Sequence, residues 1–323
     1  MQGASYKLFN GDARRPDPSM PHPLLPKKMF VRNGDFAQRN PLRLQSRDKD
    51  VLQQLINNRF LTTSQLEALN PNVSKKKNEH TDQRHFRRRL QLLFQHGYID
   101  RPPAQLLNFV ETGEIVHAIG DTGADILFGD DPAKRAKINW AKKNGDIKPW
   151  SLNHPLMVAR FRTILTVALR DHPTAILANW LQGEELKNYV RVKNKDYPLI
   201  PDGFPTINTS PQYASNYFLE ADRSTESGEL IKLEKVWRYD RWHRSDAHQK
   251  RYNIPSFQVL IVTISEERAK NLREKILKDV GRVKVKDMFW FTCEKNYSLE
   301  KPETILEPIW HSTGDDELHH LLE

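Results

Sequence analysis

A chain of 323 residues with a 38% apolar fraction has enough material for two domains, each burying its own core. It holds no run of 18 apolar residues, which argues against a membrane span. Its start, MQGASYKLFNGDARRPDP, lacks the apolar stretch of a signal peptide, and the single cysteine, Cys293, excludes an intrachain disulfide and zinc-finger spacing, so a cytoplasmic protein is expected. The net charge of +9 sits wholly in residues 1–150, with 25 Lys/Arg against 16 Asp/Glu, whereas residues 151–323 balance at 25 of each. That asymmetry points to a polyanion partner, DNA or RNA.

Residues 1–46 read as a flexible basic arm, with Pro16, Pro18, Pro21, Pro23, Pro26 and Pro41 and no helical or alternating period. Residues 47–128 read as one domain. Val51, Leu52, Leu55 and Ile56 mark the buried stripe of a first helix. Thr62, with Gln65 three positions on, is a capping box opening a short second helix that ends at Asn70-Pro71. After the polar run NVSKKKNEHTDQ, a third helix covers about 82–96. Phe86, Leu90, Leu93 and Phe94 line its inner face, Arg84, Arg87, Arg88, Gln91 and Gln95 the outer one, and Gly97 caps it. The stretch LLNFVETGEIVHAIG predicts a hairpin turning near Thr112-Gly113.

Three helices and a hairpin make a winged helix-turn-helix, whose third helix enters the major groove of double-stranded DNA. Arg84, Arg87, Arg88 and Gln91, with Lys75, Lys76 and Lys77 before the helix, are the candidate DNA contacts. The alternatives are a solvated basic face or a protein-docking module. Residues 129–150 read as a charged linker.

The second half, residues 151–300, alternates helix and strand: a helix over 157–169, strands at 174–181, 198–208 and 214–222, a helix over 226–244, a strand at 257–265, a helix over 266–277 and a strand at 287–293. This predicts an α/β (α+β) domain with a mixed central sheet. Residues 301–323 are left as a C-terminal tail. Glu220 and Asp222 project to one face of their strand. If the strand holding Asp202 pairs with theirs, three carboxylates converge, as a hard divalent cation requires.

Three stretches carry a family resemblance: RRLQLLFQHGYI leading to GDTGADIL; NHPLMVARFRTIL; and IPDGFPTIN followed by NYFLEADRSTES and LIKLEKVWRY. Together, over roughly residues 48–295, they make the chain similar to the replication-relaxation family of plasmids and other mobile elements. The resemblance implies that the second domain is restriction-endonuclease-like, an α-β-β-β-α-β core of PD-(D/E)xK type. It implies Asp202 as the metal-binding aspartate and Glu220 as the acid of the triplet. It also implies a Mg2+- or Mn2+-dependent DNA endonuclease or nickase, relaxase-like, working with other replication or mobilisation proteins. This chain departs from the pattern at the third place, with Asp222 instead of lysine; Lys232 or Lys235 on the next helix can supply the cation. The competing readings are a non-catalytic DNA-binding accessory factor or regulator on a nuclease relic, and a plain ion-pair network of Glu220 and Asp222 with Arg223, Lys232 or Lys235.

Other signals are weaker. His80/His85 and His243/His248 are each five apart, off the spacing of one helix face. Glu184 or Glu185 is a loose candidate for a fourth acid. Trp237, Tyr239 and Trp242 fit packing against the sheet better than base stacking, and Arg238, Arg241 and Arg244 could grip phosphate. No Gly-rich phosphate loop or serine elbow is present.

Overall fold

The capping box at Thr62 forms as the sequence requires: the Thr62 hydroxyl accepts from the Gln65 amide, and the Gln65 side chain accepts from the Thr62 amide. The computed structural model describes residues 25–70, 79–107, 112–129, 131, 139–192, 194–223, 229–278 and 287–322, with side chains given outside 79–81 and 229–233. The chain divides into two units, one up to Leu156 and one from Met157 on.

In the first unit, α1 (Gly34–Arg39), α2 (Ser46–Asn58), β1 (Leu61–Thr62), α3 (Thr63–Leu69) and α4 (Glu79–Gln95) precede β2 (Ile99–Asp100) and β3 (Val116–Ile119). The apolar stripes behave as their spacing dictates. Val51, Leu52 and Leu55 of α2 and Phe86, Leu90, Leu93 and Phe94 of α4 are buried. Gly97 ends α4 at φ 79°, a left-handed conformation that costs glycine nothing. There Gly97 N donates to Phe94 O and Tyr98 N to Leu93 O, closing off the last turn.

The second run of the expected hairpin forms β3. The antiparallel partners of β3 are β1 and β2, in the order β1-β3-β2. Before it, Pro102 and Pro103 lack amide donors, and the chain coils into a 3-10 turn, Pro103–Leu106. The buried Gln105 amide then stands in for a strand neighbour: its Oε1 accepts from Val116 N (2.7 Å) and its Nε2 donates to Val116 O (2.8 Å). Residues 108–111, within the expected hairpin, lie outside the described residues.

Residues 1–24 of the expected arm lie outside the described residues, but parts of the arm and of the linker make specific contacts. In the arm, Arg32 donates to the Phe94 and Ile99 carbonyls. In the charged linker, α6 (Trp140–Gly145) follows α5 (Asp121–Phe128), and its start is held by Asp121, whose carboxylate accepts from the Trp140 and Ala141 amides. Trp140 and Asn144 are buried there. The helix expected over 157–169 is longer, α7 (Pro149–Arg170).

The second unit is built on a seven-stranded mixed sheet, ordered β12-β11-β10-β9-β8-β7-β4. Its strands are β4 (Ile176–Leu181), β7 (Phe204–Asn208), β8 (Ala214–Asp222), β9 (Gln258–Thr263), β10 (Phe289–Cys293), β11 (Trp310–Ser312) and β12 (Leu318–His319). The central β8, β9 and β10 are parallel and the outer pairs antiparallel. Both faces are buried. Phe218, Val259, Ile261, Phe289 and Phe291 share a core with residues of α8 (Glu229–Arg244), α9 (Ala247–Tyr252) and α10 (Glu266–Lys278). Tyr217, Leu219, Leu260, Val262 and Trp290 share the other with Phe161, Ile164 and Leu165. This two-sided burial explains why the central strands read as unbroken apolar runs.

The strand expected over 198–208 is split. Ile200-Pro201-Asp202-Gly203 separates β6 (Lys195–Leu199), which pairs with an unforeseen β5 (Asn188–Val192), from β7. Gly203 is fixed by packing, since a Cβ there would lie 2.6 Å from the Trp180 ring. Residues 301–323, read as a tail, instead supply β11 and β12 to the sheet.

The fully buried Trp310 packs edge-on against Phe161 (6.2 Å between centroids) and anchors that segment. Trp310→Ala is expected to destabilise the chain by about 3–5 kcal/mol, read from the midpoint shift in urea unfolding.

Candidate functional site

Alternation along β8 sends Phe218, Glu220 and Asp222 to the face covered by α8 and α10, while Leu219 enters the opposite core. The strand therefore drives two carboxylates toward an apolar layer, and each is met by a cation from a helix. Lys235 Nζ bonds Glu220 Oε2 at 2.5 Å and also donates to Ile200 O at 2.8 Å. Tyr239, one turn further along α8, donates its hydroxyl to Glu220 Oε1 at 2.6 Å. Asp222 is held by Arg268 of α10, with Nε to Oδ2 at 2.9 Å.

Asp202 lies between β6 and β7, not within a strand. Its amide donates to Leu219 O and its Oδ2 accepts from Ala221 N at 2.8 Å. It thereby extends the pairing along β8 past β7 and brings a second carboxylate beside Glu220.

The charges act on one another. Burial pushes the Glu220 carboxyl up to about 6, against the pull of Lys235, and Asp202 adds to the rise. For Lys235, burial opposes the charge, but Glu220 and Asp202 outweigh it and the ammonium is held above its ordinary value. Tyr239 is raised well above the usual phenol range, first by burial and then by Glu220, and stays a neutral donor.

Asp202, Glu220 and Lys235 thus form one cluster and Asp222 with Arg268 a separate pair. Among the described residues no group of three or more His, Cys, Asp or Glu side chains is placed to hold a metal ion, so the three carboxylates do not assemble as one ligand set. The side chain of Lys232 lies outside the described residues. Glu184 sits on the 3-10 turn Gly183–Leu186, almost fully exposed and paired with Lys187. His243 and His248 stack on each other and pack on Phe257. Tyr239 and Trp242 are core residues. Arg238 donates to Pro198 O, Arg241 to Arg191 O, and Arg244 pairs with Asp240.

On α4 the basic side chains divide. Arg84, Arg87 and Arg88 are all exposed. Arg87 forks onto Glu67 of α3, at 2.6 and 3.1 Å, and hydrogen bonding to that carboxylate raises its pKa. Gln91 accepts from Arg101 at 2.9 Å. Lys75, Lys76 and Lys77 lie outside the described residues.

The reading from sequence missed two participants. Tyr239 was legible in principle, because Lys235 and Tyr239 are four apart and share a helix face. Arg268 left no local signal; it meets Asp222 only because β8 and β9 run parallel in register, Asp222 opposite Thr263, just before α10 begins.

A family model described as replication-relaxation matches residues 52–256. No curated protein matches the chain, and no solved structure does.

The Glu220 carboxyl links stability to pH. Its pKa in the folded chain, about 6, exceeds the ordinary 4.5, so the folded state binds the proton more tightly than the unfolded one. The resulting stabilisation is present in full below about 4.5 and is lost as pH rises through about 6. At about 1.4 kcal/mol per pH unit it amounts to about 2 kcal/mol. Denaturant unfolding from pH 4 to 7 is expected to show this loss for the native chain, and Glu220→Gln is expected to flatten that part of the profile.

Proposed function

Because the chain belongs to the replication-relaxation family, a membership that supports a role in plasmid or mobile-element replication or relaxation, we propose that it is a DNA-processing protein. Its first unit grips the duplex and its second bears a phosphodiester-cleaving centre. The first part rests on element order. Helix, strand, helix, helix, strand, strand, with the sheet ordered β1-β3-β2, is the order of a winged helix, and α4 takes the place of the groove-reading helix. Arg84, Arg87 and Arg88 are exposed on it, Arg87 already forked onto Glu67, and the surrounding half of the chain holds the whole positive excess.

The second part rests on one observation: Lys235 reaches Glu220 from α8, beside Asp202. A PD-(D/E)xK site needs two acids and a lysine. The triplet here ends in Asp222, and the missing cation arrives from another point of the backbone. Asp202 and Glu220 are hard oxygen donors of the kind Mg2+ or Mn2+ takes, one or two carboxylates with the remaining positions left to water and substrate. They would hold the ion, which supplies Lewis-acid charge to the scissile phosphate. Lys235 would set its ammonium against a phosphate oxygen as negative charge develops there. Tyr239 would fix the orientation of Glu220 through Oε1. Arg268 holds Asp222 apart, so Asp222 has no direct part in this scheme.

A second reading, DNA binding without cleavage, is favoured by a separate observation. Both Glu220 oxygens are already engaged by Lys235 and Tyr239, as in a nuclease-derived domain that has become structural.

Incubating supercoiled plasmid with the full chain and Mg2+ or Mn2+ separates the two readings. Cleavage predicts nicked circles, with the rate lowered about a hundredfold or more in Asp202→Ala and Glu220→Ala. Intact plasmid with undiminished binding supports the second reading. The winged-helix assignment has its own test. Arg84→Glu with Arg88→Glu should weaken duplex binding and flatten the dependence of log K on log salt by about two contacts' worth. Unchanged affinity would overturn that assignment.

A further inference from the structure

The first unit carries an open cleft of about 360 Å³ unrelated to the acid cluster, lined in part by Thr63, Ser64, Gln91, Arg101, Glu114 and His117. Its volume falls in the range of small-molecule sites, about 300–1,000 Å³. Two of its lining side chains are deeply buried and incompletely satisfied. Arg101 is 5% exposed. Its Nη1 donates to Met29 O and its Nη2 to Gln91 Oε1, and its guanidinium lies 4.4 Å from the centroid of the Phe94 ring. Its Nε has no hydrogen-bond acceptor among the described residues. The neighbouring Asp100 accepts from the Arg101 backbone amide and pairs with Arg32. No carboxylate among the described residues pairs with the Arg101 guanidinium, and burial holds its pKa down to about 10.

His117 is 1% exposed; its Nε2 lies 3.1 Å from the Thr63 hydroxyl, and its Nδ1 has no partner among the described residues. Burial, with Arg101 nearby, keeps the ring neutral. A buried cation without a counterion is costly, and buried charges are ordinarily paired.

We propose that this cleft binds a small phosphate-bearing molecule of nucleoside-monophosphate size, its phosphate meeting Arg101. A phosphate offers three strong acceptor oxygens, which suits a guanidinium and two hydroxyls better than a carboxylate does. The Glu114 carboxylate, which accepts from Ser64 N at 3.0 Å, disfavours a polyphosphate and offers an acceptor to a sugar hydroxyl. The site makes the DNA-gripping unit responsive to a soluble ligand, whether or not the second unit cleaves.

Isothermal titration calorimetry of the full chain with adenosine 5′-monophosphate, inorganic phosphate and adenosine tests this. One saturable site is expected for the monophosphate, with competition by inorganic phosphate and at least about tenfold weaker binding of adenosine. Arg101→Gln should weaken the monophosphate about ten- to hundredfold, as expected for loss of a charge-assisted contact. If that variant does not fold, Thr63→Val and Ser64→Ala, at partly exposed positions, should each cost several-fold. The absence of saturable heat up to about 10 mM, or unchanged affinity in the folded variants, would overturn the proposal. Duplex affinity that falls with Arg101→Gln while the monophosphate gives no heat would overturn it too, assigning the arginine to a DNA phosphate.

Discussion

Strand β8 is buried on both faces, and this constraint governs the second unit. A strand in that position can present a carboxylate only if another element neutralises it, because an ionised group without a partner is strongly destabilising in such surroundings. Glu220 and Asp222 are therefore tied to α8 and α10 through Lys235, Tyr239 and Arg268. These contacts join the sheet to both helices on that face and fix which side chains surround the carboxylates. The same burial pushes the Glu220 carboxyl up to about 6, the kind of perturbation that clusters at functional sites.

The first unit uses polar pairs in a similar way. Arg89 forks onto the buried Asp48, Arg87 onto Glu67, and Gln105 completes the hydrogen bonding of Val116. These side chains lock the helices to one another and to the small sheet. A run of arginines on one helix is thus divided: Arg87 and Arg89 fork onto carboxylates of neighbouring helices, and Arg84, Arg87 and Arg88 are exposed. Arg101 differs from the structural arginines in lacking a carboxylate partner among the described residues, which sets its cleft apart from the rest of the unit.

On the proposed function, the two halves divide the chemical labour. The positive excess lies in residues 1–150, and the charge-balanced half holds the acid–lysine cluster. Attraction to a polyanion needs net charge spread over a surface, whereas chemistry on a phosphodiester needs a few groups in fixed geometry.

Local patterns were sufficient for much of this molecule. The period of α2 and α4, the capping box at Thr62, the glycine cap at Gly97 and the apolar runs of β9 and β10 are decided within a few residues, by backbone conformation and by which faces are apolar. The resemblance to the replication-relaxation family was likewise legible in contiguous stretches. Only the tertiary structure decided the break at Pro201–Gly203, the recruitment of residues 310–319 to the sheet, and the partners of each carboxylate. Asp222 went to Arg268 and Glu220 to Lys235 because strand order and helix placement set which side chains meet, and neither is encoded by the spacing of residues along one segment.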